Sequence, residues 1–368
     1  MSHLRLKSLR EQRIVITGAT SGIGLVTARL AARRGARLML AARNEQALQN
    51  IADQINRDTP GEAHYTATDV GDEDQVNRLA DAARDRLGGF DTWINDAAIS
   101  IYGNLMQVPV NEHRQVFETN YWGCVHGSRA AVDELAKHHD GFGGALINLG
   151  SVLGDRAIPD QGPYCASKHA IKGFTDALRM ELEQRDLPIS VTLIKPSAID
   201  TPYKDHAKNY FDVKPQNPPP VYDPLTVAHA ILHAAQHPRR DIYVGAAGRW
   251  VVSGLGTVLP RLSDLVMERV MSWMQKTDEP VDPGARDRHA LFEPMDDGEE
   301  RGVYPHYVLK SSLYTQATLH PLATAAAVGA TGLLAAAAWQ ALAGDRRDGA
   351  SLPAQPARAP SPAGREAG

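Results

Sequence analysis

The sequence is short of several things, and each shortage narrows its class. It holds two cysteines, Cys124 and Cys165, far apart and without metal-like spacing. That excludes a disulfide framework and points to a reduced, cytoplasmic setting with two packed thiols. The formal net charge of -4 gives no basic footprint for a nucleic acid. Met1 to Gln12 lacks the continuous apolar core that a secretory signal requires. His229, His233 and His237 recur at four-residue spacing, but no acid or cysteine completes a ligand set, so no metal is expected.

Charge is missing altogether from Ser311 to Gly344. Within that stretch Pro321 to Gly344 is long enough to cross a bilayer, with Trp339 and Arg346-Arg347 at its end. Alanine dominates it, however, so insertion would be marginal. A C-terminal membrane anchor and a helix packed on protein or on a partner chain both remain open. Ser351 to Gly368 is rich in Pro, Ala and Arg and is expected to be disordered.

What is present begins with Arg13 to Thr17, a short β-branched run. Gly18-Ala19-Thr20-Ser21-Gly22-Ile23-Gly24 follows, then an Ala- and Leu-rich segment closed by Gly35, then Arg37 to Ala42. This reads as strand, glycine loop, helix, strand. Glycines at such spacing let the backbone turn tightly and approach a pyrophosphate, and the helix N-terminus faces its charge. At the end of the second strand stands Ala41-Ala42-Arg43-Asn44, where an NAD site would place a carboxylate. The Arg43 guanidinium suits a 2′-phosphate and favours NADP over NAD.

The alternation continues. Asn44 to Arg57, Asp72 to Leu87, Asn111 to about His138, Pro163 to Arg185 and Asp223 to Gln236 read as helices. Ala63 to Ala67, Thr92 to Asn95, Ala145 to Leu149, Ile189 to Lys195 and Asp241 to Val244 read as strands. The expected fold is α/β, a doubly wound parallel sheet of Rossmann type, with a mainly helical C-terminal extension. The expected divisions are 1–250 for the catalytic domain and 251–310 for an amphipathic helix plus an acidic, Pro-rich linker. An uncharged helix takes 311–344 and a disordered tail 345–368.

The chemistry concentrates at Tyr164-Cys165-Ala166-Ser167-Lys168. A tyrosine and a lysine four positions apart share one helix face. An ammonium held near a phenol favours the phenolate and brings its proton exchange toward neutrality. Ser151 follows the apolar run Ala145 to Leu149, where a strand ends and a loop presents its hydroxyl.

Thr17 to Gly24, Asp69-Val70, Asn95-Asp96-Ala97-Ala98, Asn120, Ser151, Tyr164 to Lys168 and Pro196-Ser197-Ala198-Ile199-Asp200-Thr201 together resemble the short-chain dehydrogenase/reductase family, over roughly residues 10 to 250. The resemblance implies that Tyr164 is the acid/base, that Ser151 holds the substrate oxygen, and that Lys168 binds the nicotinamide ribose and lowers the tyrosine pKa. Asn120 would hold a water linking Lys168 to solvent. The cofactor would contact Gly18, Thr20, Ser21, Gly22, Ile23, Gly24, Arg43, Asp69, Val70, Asn95, Ala97, Pro196, Ile199 and Thr201. The chain departs from the family pattern twice. Asp96-Ala97-Ala98 stands where Asn-Ala-Gly is usual, and Pro196-Ser197 where Pro-Gly is usual.

Thr201 to Tyr222 reads as a Pro-rich lid with Tyr203, Tyr210 and Phe211 as candidate pocket walls. Leu255 to Met274 is amphipathic, and Thr277 to Gly302 reads as an extended linker. The function expected is NADP-dependent transfer of a hydride between the nicotinamide and a carbonyl or secondary alcohol of a hydrophobic small molecule, by a homodimer or tetramer. The alternative is a non-catalytic NADP-binding scaffold tethered through its C-terminal segment.

Overall fold

The computed structural model describes residues 4–137, 141–246, 254, 258–281, 284, 286, 288–295 and 298–348. Most of the tail expected to be disordered, residues 349–368, lies outside the described residues. The chain divides into two units, Met1–Leu319 and His320–Gly368.

The first unit is built on seven parallel strands: β1 (Arg13–Thr17), β2 (Arg37–Ala42), β3 (Glu62–Ala67), β4 (Thr92–Asn95), β5 (Gly144–Leu149), β6 (Ile189–Pro196) and β7 (Asp241–Val244). Their order is β7-β6-β5-β4-β1-β2-β3, so the sheet grows outward in both directions from β1 and β4. Between them run α1 (Gly22–Arg33), α2 (Glu45–Asp58), α3 (Glu73–Leu87), α4 (Val110–Phe117), α5 (Gly123–Leu135), α6 (Gly162–Gln184) and α7 (Pro224–Ala234). The central strands are buried on both faces, as their unbroken apolar runs require. One core layer joins the sheet to α1, α2 and α7 through residues such as Leu25, Leu48 and Ile231. The other joins it to α3, α5 and α6 through Leu79, Leu135 and Leu182. This is the doubly wound arrangement expected from the sequence.

Local signals set the ends. The Asn44 side chain accepts from the Ala47 N–H at the start of α2, and Asp72 does the same for Gln75 at the start of α3. Gly88 closes α3 with φ 75°, a left-handed conformation that suits glycine. The long helix expected from Asn111 to His138 is interrupted by a single π-turn, Glu118–Trp122, where the Gly123 N–H reaches back to the Glu118 carbonyl. Such turns often mark functional positions, and this one carries Asn120.

After β7 the chain returns to the catalytic unit. Pro260–Val266, a π-turn Met267–Met271 and Ser272–Met274 form the described part of the amphipathic stretch, with Met267 buried against Ile158 and Cys165. The described residues of 277–302, expected as an extended linker, are instead held to the body. Lys276–Pro280 pairs antiparallel with Val213–Pro215, and Leu291 is fully buried beside Ile99, Ile101, Val108 and Val116. Backbone pairing and one buried leucine supply what the composition did not announce.

The second unit contains α8 (Pro321–Asp348). Among the described residues no single helix is long and apolar enough to cross a membrane.

Candidate active site

The glycine loop turns between Thr17 and the start of α1. Gly18 adopts φ 70° and Gly22 φ 50°. Gly24 is required for space instead: a Cβ there would lie 2.1 Å from the Gly18 carbonyl oxygen and 2.8 Å from an Asp96 carboxylate oxygen. The Thr17 hydroxyl, from the end of β1, accepts from the Asp96 and Ala97 N–H groups and ties the loop after β4 to the glycine loop.

A cleft runs along these carboxyl ends, in two connected parts. The smaller cavity, about 110 Å³, is lined by Thr20, Arg43, Asp69, Val70, Pro294 and Met295. The larger, about 430 Å³, has Gly18, Ser21, Gly22, Ile23, Ala97, Pro196, Ile199 and Thr201 on one side. Ser151, Tyr164 and Lys168 stand in its wall, brought together from the end of β5 and from α6. All but three of the residues expected from the sequence therefore face this cleft.

Gly24, Asn95 and Asn120 are the exceptions. Gly24 packs against the glycine loop. The Asn95 amide accepts from the Trp93 indole N–H at 2.8 Å and donates to Asn148 at 2.9 Å, and Asn148 in turn donates to Thr175 on α6. Asn95 thus braces β4, β5 and α6 from within the core and is not a wall of the cleft. The Asn120 side chain is committed as well: it accepts from the Ile99 N–H and donates to the Ile99 carbonyl and the Ser167 hydroxyl. It shares with Lys168 a cavity of about 10 Å³, the room of one water.

The electrostatics correct one expectation. Tyr164 is raised well above an ordinary phenol, not lowered. Burial is the main cause, and hydrogen bonds from Ser151 and Tyr203 pull only partly the other way. Lys168 is itself buried and brought down to about 8, with Asp96 opposing the shift. Its ammonium donates to the Leu149 carbonyl at 2.7 Å and lies 5.5 Å from the centre of the Tyr164 ring. The ammonium thus gives one of its three donors to a carbonyl and lies over a ring face. Asp96 is lifted by burial to about 7, against the pull of Lys168 and the Gly24 N–H.

The short chain dehydrogenase family model matches residues 12–210. The chain belongs to the short-chain dehydrogenase family. Members are oxidoreductases that use a nicotinamide cofactor and act on small molecules. The uncharacterized oxidoreductase YxnA of Bacillus subtilis is 46% identical over 338 residues, 91% of this chain and 92% of that protein. Dehydrogenase/reductase SDR family member 7B of Xenopus tropicalis is 31% identical over 271 residues, 70% of this chain and 86% of that one. A short-chain type dehydrogenase/reductase from Mycobacterium marinum is similar in structure, with a TM-score of 0.56 and 26% identity over 66% of this chain and 96% of its own. An alcohol dehydrogenase from Thermococcus sibiricus complexed with 5-hydroxy-NADP shares the fold at a TM-score of 0.56 and 24% identity, over 63% of this chain and 95% of its own.

Part of this dehydrogenase's cleft comes from beyond the residues the family model matches. Met271 and Pro218 to Pro220 line the larger cavity along with Leu153 and Ile158. Gln275, fully buried, accepts from the Gln161 amide at 2.6 Å, and Gln161 accepts from the Tyr203 hydroxyl at 3.0 Å. Of the three aromatics expected to wall the pocket only Tyr203 does, with its ring 5.4 Å from that of Tyr164. Tyr210 turns away to donate to Glu112, and Phe211 packs on Tyr102. The amphipathic pattern of 255–274 signalled that this stretch covers something. Nothing in the sequence signalled Gln161 or Gln275.

Proposed function

We propose that the chain is an NADP-dependent dehydrogenase/reductase that interconverts a carbonyl and a secondary alcohol on a largely apolar small molecule. The observation that carries this reading is the convergence of Ser151, Tyr164 and Lys168 on the wall of a cavity that Leu149, Val152, Leu153, Ile158 and Met271 also line. Such a cavity gives an apolar body a place and leaves one polar corner for its oxygen.

Bound in the cleft, the nicotinamide supplies or accepts the hydride. The Ser151 hydroxyl donates to the substrate oxygen, and Tyr164 gives that oxygen its proton in reduction or takes it in oxidation. A phenol raised by burial is fully protonated at neutral pH, which suits the reductive direction. Lys168, fixed on Leu149, binds the nicotinamide ribose, and Tyr203 steadies the Tyr164 hydroxyl. The test is NADPH oxidation against a panel of aldehydes and ketones. Cofactor binding with no turnover on any of them, identical in wild type and Tyr164→Phe, would favour a scaffold.

Arg43 carries the choice of NADP. Arg43→Ala is expected to weaken NADPH binding about tenfold and NADH binding much less, measured by fluorescence titration, because a charged donor to the 2′-phosphate is lost. Equal losses would remove Arg43 from cofactor choice.

Asp96 predicts a pH dependence. Its folded pKa is about 7. It is therefore neutral below that pH and a carboxylate above it, close to the loop proposed for the diphosphate. Cofactor binding disfavours the carboxylate further, so affinity is expected to fall several-fold from pH 6 to pH 8, and Asp96→Asn to flatten that slope. The raised pKa also means the folded state loses stability as pH rises from the unfolded value of 3.8 through 7. Asp96→Asn should thus gain more in thermal midpoint at pH 8 than at pH 5.

A further inference from the structure

The stretch before Tyr304 lies across the groove in which the dinucleotide is proposed to bind. Leu291 anchors it in the body, and the Ala290 N–H donates to the His206 carbonyl. Arg43 donates to the carbonyls of Ala290 and Phe292, and Asn44 to that of Met295. At the glycine loop the Gly298 N–H donates to the Thr20 carbonyl, and the Glu299 carbonyl accepts from the Gly22 N–H, both at 2.9 Å. Glu300 pairs with Arg29 on α1, and Arg301 with Asp223 at the start of α7. Gly302 then passes so close to Thr201 that a Cβ would sit 2.5 Å from its carbonyl oxygen. The crossing runs from the Arg43 end of the groove, over the glycine loop, to the nicotinamide end.

This crossing leaves space beneath it. Ala290, Pro294 and Met295 face Arg43, Asp69 and Val70 across the smaller cavity, which shares Gly18, Ser21, Ala97 and Ile99 with the larger one. Val70 and Asp69 thus share one cavity of about 110 Å³ with Pro294 and Met295. Nearly all the bonds holding the crossing segment are to backbone atoms or are partly exposed ion pairs, contacts that open without disturbing the sheet. Among its described residues, Leu291 is the one that joins a core cluster.

We propose that residues 288–295 and 298–302 form a cofactor strap, in which Ala290, Pro294 and Met295 are the outer wall of the adenosine subsite of a bound dinucleotide. The strap lifts to admit the dinucleotide and closes over it. Arg43 then has two roles, strap anchor and 2′-phosphate partner. The relative YxnA aligns over 91% of this chain, so most of the extension has a counterpart there.

The proposal rests on the cofactor reading, and its test separates the two. The full chain is digested with trypsin, with and without saturating NADPH, and cutting after Arg288 and Arg301 is followed. NADPH dissociation is measured in parallel by fluorescence for wild type and for Met295→Ala. Closure over the dinucleotide predicts at least tenfold slower cutting with NADPH and about tenfold faster NADPH release from the variant. Bound NADPH that leaves cutting unchanged or speeds it, or a variant that releases NADPH at the wild-type rate, overturns the strap while the cofactor reading stands. A wild-type chain that binds neither NADPH nor adenosine 2′,5′-bisphosphate overturns both.

Discussion

Tyr164→Phe is expected to lower turnover about a thousandfold while leaving NADPH affinity unchanged, because only the proton donor is lost. The ring keeps its place: its edge-on packing against Tyr203 and the Lys168 ammonium 5.5 Å from its centre depend on the aromatic body and not on the hydroxyl. Loss of the hydroxyl forfeits its hydrogen bonds with Ser151 and Tyr203, a cost of about 1 kcal/mol that leaves the fold intact. Initial rates of NADPH consumption on an active carbonyl, with cofactor binding measured separately, distinguish a chemical loss from a binding loss. A variant that turns over at even a tenth of the wild-type rate would transfer the proton step to another group. Ser151→Ala should lose less, since Tyr164 still donates toward the same corner.

The second large effect comes from a single methyl group. Gly24→Ala places a Cβ 2.1 Å from the Gly18 carbonyl oxygen and 2.8 Å from its carbonyl carbon, both backbone atoms that no side-chain rotation relieves. Either α1 moves out or the glycine loop is pushed toward Ala97, which already meets Gly18 closely. Overpacking of this kind costs about 3 kcal/mol, and the displaced loop is the one proposed to face the diphosphate. We expect a fall of several degrees in thermal midpoint together with at least a tenfold loss of NADPH affinity. Native stability and affinity in Gly24→Ala would show that the loop has slack that this packing denies.

The sheet could be read from the sequence because its strands are continuous apolar runs, such as Ile189 to Lys195, separated by helices with visible caps and stops. The placement of the candidate site could be read because its residues sit at strand ends and on one helix face, where spacing dictates direction. The rest was hidden for physical reasons. The π-turn at Asn120 shifts a hydrogen-bond ladder by one residue and leaves the amphipathic pattern of its helix intact. Tyr210 and Phe211 lie in an irregular loop, where neither a period of two nor one of 3.6 fixes side-chain direction. The raised phenol and the shared charge of Asp96 and Lys168 depend on burial, which spacing does not report. Residues 277–302 bind largely through their carbonyls and N–H groups, which every residue carries alike, so acidic and Pro-rich composition suggested a free linker.

The hydrogen bond from Gln161 to Gln275 joins positions 114 residues apart. During synthesis at roughly 5–20 residues per second, Gln161 therefore leaves the ribosome about 6–23 s before its partner does. Throughout that interval the nascent chain already contains the glycine loop, and it soon adds Tyr164 and Lys168, but the wall carrying Met271 has not been made. On the proposed function, the corner that carries the proton donor is therefore made before the chamber wall that would select what reaches it, and a different C-terminal third grafted onto the same sheet would change the choice of molecule and leave that donor where it is.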